Sequence, residues 1–311
     1  MTRGLAAVTG ATGFLGTVLV RALAQEGRRI RILARREPLH PLWRGLDIEV
    51  VLGDLADPGA LARLARGADV LIHTAGATKA RDLDAFMAVN RDGSRRAAES
   101  AQAAGARLLL VSSLAAREPR LSAYAASKRA GEEAAMSVMA TEQLTIVRPP
   151  AIYGPGDREI LPLFVAASRG APLPLLGPAE GRIAMAHVED VAKAVAALTK
   201  GPSGVFALGG ARPEGYSWRE IAQAAAKATG TVCRPVQCPA WVAPLAGAAA
   251  DLSARLSGRP GVFSGGKANE LRHPDWSVAP SETPPGLTSP RHDLDSGFSD
   301  TVEWARAAGL I

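Results

Sequence analysis

Cysteine is nearly missing from this chain of 311 residues, which holds only Cys233 and Cys238. Two cysteines are too few for a disulfide framework, and they have no partners for a metal cluster. Aromatic residues are scarce as well, at 5%. No aromatic-basic stripe of the kind that stacks single-stranded nucleic acid is present, so no nucleic-acid partner is expected. No apolar run approaches the ~20 residues that span a bilayer. The N-terminus also lacks the basic region, apolar core and small-residue cleavage site of a secretory signal. These absences lead to the expectation of a cytoplasmic enzyme without a transmembrane segment and without internal repeats.

Positive charge is in excess, at +6 with a pI of 9.7. The cations are scattered, as in Arg28-Arg29, Arg35-Arg36, Arg95-Arg96 and Arg117 to Arg120, with carboxylates between many of them. That distribution is a solvated surface with some attraction for anionic ligands or anionic lipid headgroups, which admits peripheral contact at the inner face of a membrane. An apolar content of 47% is enough to bury a large core.

Two local patterns carry chemistry. Tyr124-Ala-Ala-Ser-Lys128 places a phenol and an ammonium at i and i+4 in a helical segment, on one face. A phenol titrates near pH ~10 and exchanges protons poorly at neutral pH unless a fixed cation stabilises the phenolate. Alone, the spacing equally describes a half-buried Tyr beside a solvated Lys. At the other end of the chain, the apolar run Leu5 to Val8 passes into Thr9-Gly10-Ala11-Thr12-Gly13-Phe14-Leu15-Gly16 and then into helical periodicity at Val18 to Leu23. Gly10 permits a tight turn, Gly13 keeps side chains away from a pyrophosphate, and Gly16 allows close helix-strand packing, with the helix N-terminus attracting the anion. The glycines stand at G-x-x-G-x-x-G.

Strand and helix signals then alternate as in a parallel sheet, with strands expected at 29–34, 48–52, 70–73, 108–111, 144–147 and 205–208 and a helix at 90–104. Ser217-Trp-Arg-Glu220 reads as a capping box. Pro280, Pro284, Pro285 and Pro290 mark a turn-rich linker to a last helix at 300–308.

With Gly53-Asp54-Leu55-Ala56-Asp57, His73-Thr74-Ala75-Gly76, Leu108 to Ser113, Arg148 to Asp157 and His187 to Ala192, the two patterns form an ordered set. The set resembles the extended branch of the short-chain dehydrogenase/reductase superfamily, home of nucleotide-sugar epimerases, dihydroflavonol reductases and 3β-hydroxysteroid dehydrogenases. The likeness is dense over residues 1 to 200. It implies an α/β fold, a Rossmann-type doubly wound parallel sheet with a smaller C-terminal substrate lobe. A dinucleotide-binding domain would span 1–153, with 183–210 returning to it, and 154–311 would be mainly substrate lobe. It also implies an adenine-contacting loop at Asp54 and Leu55, a loop under the cofactor at Thr74, Ala75 and Gly76, and a substrate-side loop that includes Pro150 and Ile152.

Arg35 and Arg36, directly after the second strand, stand where a carboxylate would bind ribose hydroxyls. Arginine clamps a 2′-phosphate instead, so NADP(H) is favoured, with NAD(H) still admitted and Arg35 the better of the two candidates. In the implied reaction Tyr124 donates a proton to a developing alkoxide, Lys128 lowers its pKa and holds the nicotinamide ribose, and Ser113 hydrogen-bonds the same oxygen, with Ser112 as the neighbouring alternative.

Trp241 to Leu252 is unusually apolar and reads either as lining for a lipid tail or as a helix packed on the sheet. Lys267 to Trp276 resembles steroid-dehydrogenase-like and lipid-modifying members of the branch, and Ser113 to Tyr124 looks like bacterial relatives that reduce keto-sphingolipids. The expected activity is reduction of a ketone on a lipid-like small-molecule substrate such as a ketoceramide or sterol-like molecule. The alternatives are a nucleotide-sugar epimerase or dehydratase and a cofactor-bound structural subunit. Relatives of this kind pair through helices, which makes a homodimer an expectation too.

Overall fold

The computed structural model describes residues 3–38, 40–232, 234–257 and 263–311; Cys233 lies outside them. The strands are β1 Arg3–Thr9, β2 Arg28–Ala34, β3 Ile48–Leu52, β4 Val70–His73, β5 Arg107–Val111, β6 Leu144–Arg148, β7 Ala151–Tyr153, β8 Leu173–Leu175, β9 Arg182–Ile183, β10 Met185–His187, β11 Gly204–Ala207, β12 Pro235–Gln237 and β13 Asp275–Trp276. The α-helices are α1 Phe14–Gln25, α2 Pro58–Ala65, α3 Leu83–Ala103, α4 Ala123–Met136, α5 Leu161–Ser168, α6 Val188–Leu198, α7 Trp218–Thr229, α8 Val242–Ser257, α9 Gly265–Arg272 and α10 Leu294–Ala307.

Seven strands form one sheet in the order β11-β6-β5-β4-β1-β2-β3, every pair parallel. Strands covered on both faces read as continuous apolar runs, and β4 is buried at all of its residues. One face packs α1 and α6 through Leu19, Leu23, Val191 and Val195; the other packs α2, α3 and α4 through Leu61, Leu64, Ala97, Ala101 and Ala135. The strand order reverses between β1 and β4, and the crevice outside the strand ends at such a switch point is where doubly wound sheets bind ligands. A separate apolar cluster, with Phe164, Ile183, Ile221, Phe298 and Val302 at its centre, holds α5, α7 and α10 together.

Two helices start earlier than the sequence patterns indicate. The helix expected at 90–104 begins at Leu83, because Asp82 caps it by accepting from Ala85 N at 2.9 Å. The helix expected at 300–308 begins at Leu294, capped by Asp293 through Ser296 N. In both, an acidic cap sets the start of the helix. The capping box at Ser217 and Glu220 forms as expected. The apolar segment 241–252 becomes α8, which packs its small residues on α9 and leaves Trp241, Leu245 and Leu252 exposed. Among the described residues its packing partner is α9.

Candidate active site

The glycine loop joins β1 to α1 at the switch point. Gly10 is left-handed, with φ +72°, and a Cβ there would lie 2.5 Å from Ala75 N. A Cβ on Gly16 would lie 2.1 Å from Gly10 O, so α1 packs directly on the turn. Gly13 donates to Gly10 O at 3.0 Å and caps α1 in extended conformation with no side-chain hydrogen bond. The first-turn N–H groups at Phe14 and Leu15 therefore face outward with only a glycine before them, the arrangement that receives a pyrophosphate. Thr74 Oγ1 donates to Thr9 O at 2.8 Å, fixing the 74–76 loop beside the turn. Ile152 and Leu15 pack on the cluster below it, and Gly156 comes against Phe14.

A recess of about 660 Å³ opens beyond β2, lined by Thr12, Arg35, Arg36, Glu37, Pro38, His40 and Trp43. Arg35 and Arg36 are exposed and make no ion pair among the described residues. Two free guanidiniums against one carboxylate, Glu37, leave the recess net positive. Sequence reasoning missed His40 and Trp43; His40 Nδ1 accepts from Leu42 N, and Trp43 Nε1 anchors on Thr17 O at 3.0 Å. Asp54 and Leu55 follow β3 on the same side, with Asp54 Oδ1 accepting from Ala56 N at 2.7 Å and Leu55 lying against Gly93. The shape and charge of this cradle fit a dinucleotide.

The side chains expected to react come from the N-terminal turns of α4 and the segment that follows β5. Ser122 caps α4, accepting from Ala125 N at 2.9 Å, and Tyr124 and Lys128 follow one turn apart. The structure separates the two serines. Ser112 Oγ is buried and donates to Glu132 Oε1 at 2.5 Å, whereas Ser113 Oγ accepts from Ala115 N at 3.2 Å and lies close enough to the Tyr124 hydroxyl to act on its pKa. Burial pushes the phenol up to about 12, opposed by Ser113 and reinforced by the negative charges of Glu270 and Glu159. The charges acting on the phenol are those of Glu270 and Glu159, and the Lys128 ammonium donates to Val111 O at 2.9 Å. Burial lowers Lys128 to about 8, with Glu132 acting in the opposite direction. A phenol protonated throughout the neutral range suits a proton donor.

Behind these residues lies a frame with little sequence signature. Glu132, fully buried one turn past Lys128, receives Arg148 in bidentate fashion at 2.6 and 2.8 Å as well as Ser112. Asn90, also buried, exchanges hydrogen bonds with both the N–H and the carbonyl of Ala77 and donates to Ser127 Oγ at 2.8 Å, tying the cofactor loop to α4. His73 stays neutral, lowered to about 3 by burial and then by the charge of Lys128. On the substrate side, Thr78 Oγ1 donates to Glu159 at 2.8 Å, and Ser122 Oγ donates to Glu270 Oε1 at 2.5 Å.

Comparison with known proteins follows the same lines. The NAD dependent epimerase/dehydratase family matches residues 6–209. A ceramide reductase of Caulobacter vibrioides (strain NA1000 / CB15N) is 53% identical over 310 residues, covering 99% of this chain and 96% of its own. Among solved structures, the crystal structure of gox2253 superposes with a TM-score of 0.77 at 22% identity, covering 99% of this chain and 100% of the other. MoeE5 in complex with UDP-glucuronic acid and NAD gives a TM-score of 0.72 at 23% identity, with coverage of 98% and 100%. At such identities the structural likeness speaks for the fold.

Proposed function

This chain belongs to the NAD dependent epimerase/dehydratase family, and on that premise we propose that it is an NAD(P)-dependent oxidoreductase that reduces the ketone of a hydrophobic, lipid-like substrate of the 3-keto-sphingolipid or ketoceramide class. The observation that carries the reading is the Tyr124 phenol, held protonated by burial beside Ser113, which acts on its pKa. The likeness to a ceramide reductase over nearly the whole chain supports the substrate class. When bound, the reduced nicotinamide supplies a hydride. As negative charge develops on the carbonyl oxygen, Tyr124 donates its proton there and Ser113 donates a hydrogen bond to the same atom. Lys128, its ammonium steadied by Val111 O, would hold the nicotinamide ribose.

Gly10, Thr12, Gly13, Phe14, Leu15 and Gly16 would hold the pyrophosphate and Asp54 and Leu55 the adenine, with Thr74, Ala75, Gly76, Pro150 and Ile152 completing the cofactor site. Arg35, with Arg36, selects the 2′-phosphate of NADP(H); the free guanidiniums of the basic recess support that preference. Residues 1–153, with 183–210 returning to the sheet, serve as the nucleotide side and 154–311 mainly as the substrate lobe. Homodimer pairing and work at a membrane face complete the reading. A nucleotide-sugar epimerase would need cations in the second lobe for a diphosphate, and Arg212, paired with Glu220 and Glu214, is not free to be one of them. A structural subunit has no use for Ser113, Tyr124 and Lys128 together.

The test offers the purified protein NADPH with a long-chain 3-keto lipid and, separately, UDP-hexoses. Consumption of reductant with the lipid, rising with chain length at about 0.8 kcal/mol per buried methylene until the site is filled, is the expected result. Interconversion of UDP-hexoses without added cofactor would replace this reading with the epimerase.

A further inference from the structure

α8 is built inside out. Its inner stripe is small: Ala243 is buried, and a Cβ on Gly247 would lie 2.8 Å from Gly265 Cα, so the helix seats closely on α9. The opposite stripe, continuing from Trp241 just before the helix through Leu245, Ala249 and Leu252 at helical spacing, faces solvent. Trp241, Leu245 and Leu252 are 65%, 60% and 59% exposed, and Val232 and Val236 just upstream are exposed as well. Five of the ten large apolar side chains left exposed among the described residues thus fall between Val232 and Leu252. Apolar concentration of this kind marks a surface that another phase or molecule covers.

The charge around the stripe says which. From Val232 to Ser253 the sequence contains a single carboxylate, Asp251, and it turns inward to accept from Gly265 N at 3.1 Å. Arg234, just before α8, is exposed and makes no ion pair among the described residues, whereas Lys267 on α9 is paired with Glu270 at 3.3 Å. An uncharged apolar stripe with the unpaired Arg234 just upstream and no carboxylate of its own facing out matches the boundary between anionic headgroups and acyl chains. A second copy of this chain would bring the same cations and the same net charge of +6 to the contact.

We propose that the exposed face of α8 docks this protein on an anionic phospholipid bilayer. The docked hairpin leads directly to the reaction site. α9 carries Glu270, which accepts from Ser122 Oγ, and Asn269, whose Nδ2 donates to Leu121 O at 3.2 Å; Ser122 caps α4 two residues before Tyr124. Docking through α8 therefore sets the substrate side of the cleft at the membrane surface, where a lipid ketone reaches Tyr124 without crossing water. That last step rests on the lipid-ketone reading; the docking itself does not.

Cosedimentation of the full chain with vesicles tests it. The parent protein should bind vesicles of equal parts phosphatidylcholine and phosphatidylglycerol at least about tenfold more tightly than vesicles of phosphatidylcholine alone, because cations near the surface add to apolar insertion. The double variant Trp241→Glu, Leu245→Glu and the single variant Leu252→Glu should each lose at least about tenfold on the mixed vesicles with unchanged thermal melting. Absence of parent binding, or variants that fold and bind as the parent does, would overturn the proposal. So would a dimer in light scattering that the double variant dissociates while the parent ignores both vesicles, since a second copy would then cover α8. Vesicle binding that behaves as expected in a protein that reduces no 3-keto lipid would leave the docking intact and remove the substrate reading alone.

Discussion

The two sides of the cleft are held by different kinds of contact. On the cofactor side the backbone meets itself: Gly16 packs on Gly10 O and Gly10 on Ala75 N at distances that leave no room for a methyl group. On the substrate side, single side-chain bonds join segments far apart in sequence, such as Ser122 to Glu270 across 148 residues and Tyr153 Oη to Asp293 O across 140. The outermost helix there, α8, rests on its neighbour through Ala243 and Gly247 and exposes its large residues. A backbone cradle tolerates little change and suits an invariant group. A lobe fastened by a few side-chain links can be reshaped without disturbing that cradle.

The largest expected effect falls where the two sides meet. Tyr124→Phe should lower kcat/KM for the ketone by about a thousandfold while nucleotide affinity, read by fluorescence titration, stays within about a factor of two. A matching loss of nucleotide affinity would assign the phenol to the cofactor side. Next comes stability. Glu132→Ala removes the buried acceptor of Arg148 and Ser112 and should cost about 3 kcal/mol in chemical denaturation. Ser264→Ala, which removes the cap of α9, should cost about 1 kcal/mol. Equal losses would erase the distinction drawn between the two sides.

A smaller effect concerns nucleotide choice. The parent should prefer NADPH to NADH by at least about tenfold, ~1.4 kcal/mol, and Arg35→Ala should remove most of that gap. Equal affinities in the parent would withdraw the 2′-phosphate site. The mildest effect is on pH. Because burial lowers Lys128 to about 8, its charged form is present below that pH and lost above it, so kcat/KM for reduction should fall above about pH 8 by at most tenfold per unit. Tyr124, pushed up to about 12, should add no inflection in the neutral range. The same shift carries a stability sign. The cost of burying the ammonium is fully present below about 8 and is relieved as pH rises toward the ordinary lysine value of 10.5.

The contrast also explains what the sequence disclosed. The glycine loop, the sheet strands and the capping box are local patterns whose residues lie within a few positions of one another, and the strands at 48–52 and 70–73 fall where the apolar runs place them. Glu132 left no signature, because a carboxylate on a helix reads as solvated until Arg148 and Ser112 close on it. Glu270 is hidden for the same reason, and strands of two or three residues such as β9 and β13 have no period to read. The i, i+4 spacing of Tyr124 and Lys128 also could not show that the ammonium donates to Val111 O, a contact made across 17 residues.

The most direct test of the central claim follows one atom. NADPH deuterated at the transferring position of the nicotinamide is supplied with a long-chain 3-keto lipid, and the product is read by mass spectrometry with parent protein and with Tyr124→Phe. The account predicts a single deuterium on the new carbinol carbon with the parent and almost no product with the variant. A carbinol without deuterium, undiminished product from Tyr124→Phe, or an inert lipid alongside an epimerised UDP-hexose would contradict it.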